Sequence, residues 1–220
     1  MGEAELQINN RQLIIHSVLI FYGDAADETL SGQIAKDIAD HWNEAKAKLQ
    51  LKNIWYDVRF DIKGVWDKLL TPLMVYENTD PRNNYFRIEE FVMGNISFVD
   101  GINSNTGYFK LENLLNNSTT AAHEYGHTIG LEHPEVLDIR GKGVPGIMYP
   151  RGTLVDPQFQ YYPEVMPGEK GGTLNPFMRK VLEQDIADLK LQKLGFNDKN
   201  LAIVGDFTSM WHDKHHPDFG

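Results

Sequence analysis

"TTAAHEYGHTIGLEHPEV", residues 119 to 136, places His123, His127 and His133 within eleven positions. In a helix, residues four apart project from nearly the same face, one turn up. His123 and His127 therefore stack, with imidazoles that reach a common point. Glu124 stands one step round from His123. It is too displaced for an easy third ligand but near enough to touch a water held by a metal. This His-Glu-x-x-His spacing supplies two zinc ligands and a general base. A third ligand needs the chain to turn back, and Gly130 tolerates the left-handed backbone that ends a helix sharply. His133 then approaches the same metal from outside the helix, and Pro134 forbids a simple continuation. Three neutral imidazoles leave the fourth position of one catalytic zinc ion open for water.

Upstream of this motif the apolar pattern predicts a sheet with a covering helix. "LIIHSVLIFY" (13–22) is a β-branched apolar run and reads as a buried strand. In the following stretch Leu30, Ile34, Ile38, Trp42, Ala45 and Leu49 recur every three or four positions, which predicts one amphipathic helix. "NIWYDVRFD" alternates Ile54, Tyr56, Val58 and Phe60 against polar and aromatic neighbours, a strand period. "YFRIEEFVM" (85–93), "NISFVDG" and "GYFKL" predict three more strands, the last two joined by a turn. Strand, helix, strand and further strands imply a partly parallel sheet.

Downstream the pattern fades. Residues 134–173 are rich in Gly and Pro, with little periodicity. "NPFMRKVLEQDIADLKLQKLG" then begins with Asn175 as an N-cap and Pro176 at the first helical position, and stops at Gly195, as one helix or two short ones. The tail "WHDKHHPDFG" holds His212, His215 and His216 and reads as a solvated polar terminus. The alternatives are a second metal site or a segment folded back on the zinc.

The 220 residues suit one domain, and the formal charge of −10 disfavours nucleic acid and anionic membrane surfaces as partners. With no cysteine there are no disulfides, thiolate metal sites or cysteine nucleophile. No apolar run reaches the length of a membrane span, so membrane insertion is not expected. The N-terminus lacks the basic start and apolar core of a signal peptide. The chain is thus expected to be cytosolic or, by preference, secreted or released from a larger exported bacterial protein, and monomeric.

"HEYGHTIGLEH" resembles the extended zinc motif of the metzincin metallopeptidases. "GIMYP" (146–150) resembles their Met-turn, with Met148 as its methionine. The turn's "MYP" is similar to matrixins, and the proline after His133 to serralysins. Pro150 stands where astacins and serralysins carry a metal-reaching tyrosine, so Tyr149 does not inherit that role. The resemblance implies an α+β fold: a mixed twisted sheet of about five strands with two long helices in an upper lobe (1–132), and an irregular lower lobe with a C-terminal helix (133–220). It also implies that residues 151–172 border the substrate pocket. Tyr149, Tyr161 and Tyr162 are then candidate substrate-binding side chains, the last two alternatively packed against the final helix. "GIMYPRGTLVDPQFQYYP" and "GGTLNPFMRKVLEQDIADL" resemble C-terminal segments of bacterial Rhs-type toxins.

The expected activity is zinc-dependent endopeptidase hydrolysis of a protein or peptide, with Glu124 as general base. The strand around "NISFV" either pairs with an extended substrate or is an ordinary sheet edge. Two alternatives remain: a toxin or effector peptidase with a single target, and a catalytically silent metal-binding interaction protein.

Overall fold

The apolar run at 13–22 becomes the axis of the sheet. The structure is a computed structural model that describes residues 1–217. Its elements follow in the order β1 (Gly2–Gln7), β2 (Gln12–Tyr22), α1 (Glu28–Glu44), β3 (Lys48–Leu51), β4 (Ile54–Trp66), α2 (Pro72–Tyr76), β5 (Asn83–Glu89), β6 (Phe98–Val99), β7 (Thr106–Lys110), α3 (Thr120–Thr128), α4 (Glu183–Asp188) and β8 (Leu201–Val204). Strand β2 runs parallel to β4 from Gln12–Asp57 to Phe21–Trp66. Its other edge is shared, the first half antiparallel to β1 and the second half parallel to β5. Beyond β5 come parallel β7 and then antiparallel β6 at the rim. Strand β3 closes the opposite rim, and β8 pairs with β1. No described helix is long and apolar enough to cross a membrane.

Alternation along β2 gives the sheet two working faces. Leu13, Ile15, Leu19 and Phe21 form the main core with Ile34, Ile38 and Trp42 of α1 and Tyr125 of α3. Trp42 Nε1 donates to the Ala122 carbonyl at 3.0 Å, tying α1 to α3. On the other face Tyr22, Val75 and Tyr85 make a smaller cluster that takes Trp211 from the tail.

Four expectations are corrected. The sheet has eight strands rather than about five. Strand β1 escaped notice because it buries only small side chains such as Gly2 and Ala4, which carry no apolar signal. Helix α1 stops at Glu44, and Lys46 takes φ +48°, so Leu49 belongs to β3. Only α1 is long, since α3 has nine residues. The expected C-terminal helix is a single six-residue α4 flanked by short 3-10 turns at 176–178 and 191–193. Asn175 does cap, accepting from Phe177 N, but Arg179 is extended and ends that turn at once.

The tail is solvated only in part: Trp211, His212 and His215 are half-buried against the sheet, while Asp213, Lys214, His216 and Pro217 are exposed. Trp211 stacks on Tyr22 with centroids 4.5 Å apart, and His215 stacks on Tyr108 at 4.1 Å. His212 Nε2 meets Asp100 Oδ2 at 2.9 Å, with both side chains largely buried. The remaining tail residues, 218–220, lie outside the described residues.

Candidate metal centre

Helix α3 presents His123 and His127 on one face, as their spacing requires. The helix ends at Thr128, and Gly130 has φ +107°, on the side of the map that suits glycine. A Cβ there would lie 2.7 Å from Asn103 Oδ1, a second reason for glycine. The reversed chain brings His133 Nε2 to 3.0 Å from His123 Nε2 and 3.2 Å from His127 Nε2. The three residues form a group able to hold a metal ion.

The outer ring nitrogens fix the tautomers. His123 Nδ1 lies 2.7 Å from the Ile147 carbonyl, and His127 Nδ1 lies 2.7 Å from the Leu131 carbonyl. A carbonyl only accepts, so each Nδ1 carries the proton and each Nε2 turns a lone pair inward. Burial lowers the pKa of all three histidines, foremost His123, and the nearby Arg179 charge adds to it. Neutral rings with converging lone pairs are what a zinc ion requires. Tetrahedral Zn–N bonds of about 2.0–2.1 Å set ligand nitrogens roughly 3.3 Å apart, close to the separations here. The donor set therefore fits zinc.

The turn at 146–148 supports the helix from below. Met148 is buried, and a Cβ on Gly126 would come within 2.3 Å of its sulfur. The thioether thus sits against the one residue between the two helical histidines that lacks a side chain. Asp185 holds this turn, accepting from Leu182 N at 2.7 Å and Ile147 N at 3.4 Å. Burial pushes Asp185 up to about 6. A cavity of about 440 Å³ beside His133 is lined by Glu132, Glu135, Asp185 and Asp188 among others.

Glu124 is buried beside His123, and burial pushes its carboxyl up to about 8 against the opposing pull of Arg179 and the Val99 amide. Strand β6, which carries Val99, is the rim of the sheet and, among the described residues, pairs only with β7.

Arg179 is the residue that sequence reasoning passed over. It is 5% exposed. Its Nε donates to Thr119 Oγ1 at 3.0 Å, and its Nη1 donates to the Tyr149 carbonyl at 3.2 Å. Nη1 also lies 2.9 Å from His123 Nδ1. Because that Nδ1 bears a proton, the approach is charge against N–H rather than a hydrogen bond. Burial lowers Arg179 to about 10, still charged at neutral pH. The only signal in the sequence was a basic residue in a stretch that otherwise read as helix.

The three tyrosines part company. Tyr149 is partly buried, packs on the Ile139, Val155 and Leu174 cluster, and offers its carbonyl to Arg179. Tyr161 and Tyr162 are exposed, on a loop whose amides bond Thr173 and Gly171, and the Tyr162 ring lies against Gly171.

No family model matches the chain, and no curated protein is similar to it. Among solved structures it is similar to archaemetzincin from Methanopyrus kandleri, at 16% identity over 56% of this chain and 79% of that one, with a TM-score of 0.32.

Proposed function

We propose that this protein is a zinc-dependent endopeptidase. The observation that carries the reading is the convergence of three Nε2 atoms, each helical histidine oriented by a carbonyl, with a buried carboxyl one residue from the first candidate ligand. His123, His127 and His133 would hold one zinc ion, which supplies Lewis acidity toward water and toward a peptide carbonyl. Glu124 takes a proton from the attacking water and hands it to the departing amine as the C–N bond breaks. Its high proton affinity suits both halves of that transfer. The unpaired side of β6 offers main-chain donors and acceptors to an extended peptide, the simplest way to lay a scissile bond beside Glu124.

The test is cleavage of an unstructured peptide library by zinc-loaded wild type beside Glu124→Gln. Cuts made by wild type alone, with equal zinc in both samples, support the assignment. Equal cleavage by Glu124→Gln removes Glu124 from the chemistry. A zinc-loaded wild type that cuts nothing leaves the site a metal-binding one without turnover.

A further inference from the structure

Strand β6 is thinly held for an element that touches Glu124. Among the described residues it pairs with β7 at two positions, Phe98–Tyr108 and Val99–Gly107. The Val99 amide reaches the Glu124 carboxyl, so a shift of this rim is felt at the proposed general base. The tail adds what the short ladder lacks. Its entry is pinned at Asn105, whose Oδ1 accepts from Thr208 N at 3.0 Å and from Ser209 N at 2.8 Å. It then crosses β2 and β5. Tyr22 Oη accepts from His212 N at 3.2 Å, and Arg87 Nη1 donates to the His212 carbonyl at 3.2 Å. Two imidazoles fasten the rim from either end. Just after β6, Asp100 Oδ2 lies 2.9 Å from His212 Nε2, with side chains only 7% and 11% exposed. Just ahead of β6, His215 Nδ1 lies 3.1 Å from Met93 N. The His215 ring lies flat on Tyr108, the ladder partner of Phe98, and His215 N donates to Tyr108 Oη at 3.0 Å.

The two fastenings ask different things of their rings. A carboxylate only accepts, so His212 Nε2 carries a proton and donates to Asp100 whether the ring is neutral or charged. A backbone N–H only donates, so His215 Nδ1 meets Met93 with a lone pair, and a protonated ring has none to offer. Burial lowers the His215 pKa, His212 and Arg87 lower it further, and Glu89 opposes them. Lys214 sits between Asp24 and Glu89, and with Glu90 they line a cavity of about 430 Å³ that His215 also borders. Tyr108 beneath the ring has its pKa raised by burial. Well above pH 6.5 the ring is neutral in the docked and the free tail alike. As pH falls below that value the free tail takes up its proton first, so docking weakens in acid.

We infer that residues 211–215 are a strap that positions β6 for the reaction, with His212 as its lasting fastening and His215 as a catch that opens in acid. His212 and His215 are positioning residues, acting on peptide binding and on Glu124 through the rim. The part that concerns the reaction rests on the peptidase reading, and the experiment separates the two.

Hydrogen exchange at the Met93 and Val99 amides is followed from pH 7.5 to pH 5.5 in zinc-saturated wild type, His215→Asn and His215→Ala. Protection is taken relative to β2 amides, which removes the pH dependence of exchange itself. An asparagine Oδ1 stands close to the place of Nδ1 and accepts without titrating. Wild type is expected to lose about fivefold in protection toward pH 5.5, the effect of one hydrogen bond. His215→Asn keeps its protection across the range, and His215→Ala lacks it throughout. Equal protection in wild type and His215→Ala, or a loss in acid that His215→Asn shares, overturns the inference. Peptide cleavage at pH 7.5 is the second readout. At full zinc content His215→Ala raises KM about fivefold, and His215→Asn restores it. Unchanged KM and kcat in a variant that has lost its protection overturn the positioning role. A wild type that cuts nothing counts against the peptidase reading alone, because exchange at Met93 and Val99 still decides whether the strap holds the rim.

Discussion

The sheet with α1 and the segment from 131 to 182 are built on different principles. The first is periodic. Strands β2 and β4 pair over ten positions, and Leu13, Ile15, Leu19 and Phe21 of β2 all go into the main core. The second contains no α-helix or multi-residue strand, yet Ile139, Ile147, Met148, Val155 and Leu174 are buried in it. Its backbone is tied by single bridges such as Asp138–Leu154, Gly146–Lys180 and Gln160–Leu174. A periodic region spreads its stability over many equivalent contacts. An irregular one hangs on a few particular ones, and here several of those converge on the histidines.

Zinc removal puts that contrast to its largest test. On the proposed reading His133 is the ligand contributed by the irregular side, so a bound zinc ion would join the two regions. At free zinc about a thousandfold above the dissociation constant, binding stabilises the fold by about 4 kcal/mol. After chelation, amides of residues 131–160 should exchange within minutes while β2 and β4 stay protected on that timescale. His133→Ala should behave like the chelated protein. Equally rapid exchange in both regions would erase the distinction.

The periodic half has its own weak point. A Cβ on Gly64 of β4 would lie 2.0 Å from the Ser31 carbonyl oxygen of α1, a backbone atom that cannot swing aside. Gly64→Ala should therefore cost about 3 kcal/mol, at the upper end of overpacking effects. Urea unfolding measures it. A loss under about 1 kcal/mol would mean that α1 floats on the sheet more freely than this contact allows.

This half is also where the sequence was most legible. Strand β2, helix α1 and the buried side of β4 announced themselves through period, because period is a local property. The candidate metal ligands were legible for a related reason, since His123, His127, Gly130 and His133 are set by one helix and one turn. Arg179 was not, because its partners Thr119, Tyr149 and His123 lie thirty to sixty residues away along the chain, and no local pattern records that. The same holds for the 175–195 stretch. Its helical signals at Asn175 and Pro176 are real, but the burial of Arg179 and the left-handed Lys190 override them.

Asp185 sharpens the picture of the irregular half through pH. Its carboxyl is raised from 3.8 to about 6 by burial, so ionisation is harder in the folded chain than in the unfolded one. Below pH 3.8 both states are protonated there and no penalty applies. Between pH 3.8 and about 6 the unfolded chain carries the charge while the folded one stays protonated, so the folded state loses stability over that window and the penalty is constant above it. Asp185→Asn has no such charge. The stability of the variant relative to wild type should therefore climb by about 2 kcal/mol between pH 4 and pH 7.5. Histidine protonation is common to both proteins and cancels in the difference. A difference independent of pH would mean that the amides of Leu182 and Ile147 hold the carboxylate as well as water does.

The smallest effect tests the independence of the two faces of the sheet. Trp211 stacks on Tyr22 beside Val75 and Tyr85, on the face away from α3 and the histidines. Trp211→Ala removes one stacked aromatic pair and a half-buried ring, a loss of about 1 kcal/mol. Zinc affinity should not change, because β2 itself lies between this contact and the main core that carries α3. The tail has one route across, since His212 also touches Asp100 and the ring of Phe98 at the β6 rim, one residue on either side of Val99. Trp211→Ala leaves that route in place if His212 stays docked through the Asp100 pair. Zinc titration of Trp211→Ala and of His212→Ala side by side therefore resolves what fastens the rim. Unchanged affinity in both variants confines the tail to its own face. A loss of peptide cleavage in His212→Ala alone, at full zinc content, makes the tail the clasp that holds β6 against Glu124.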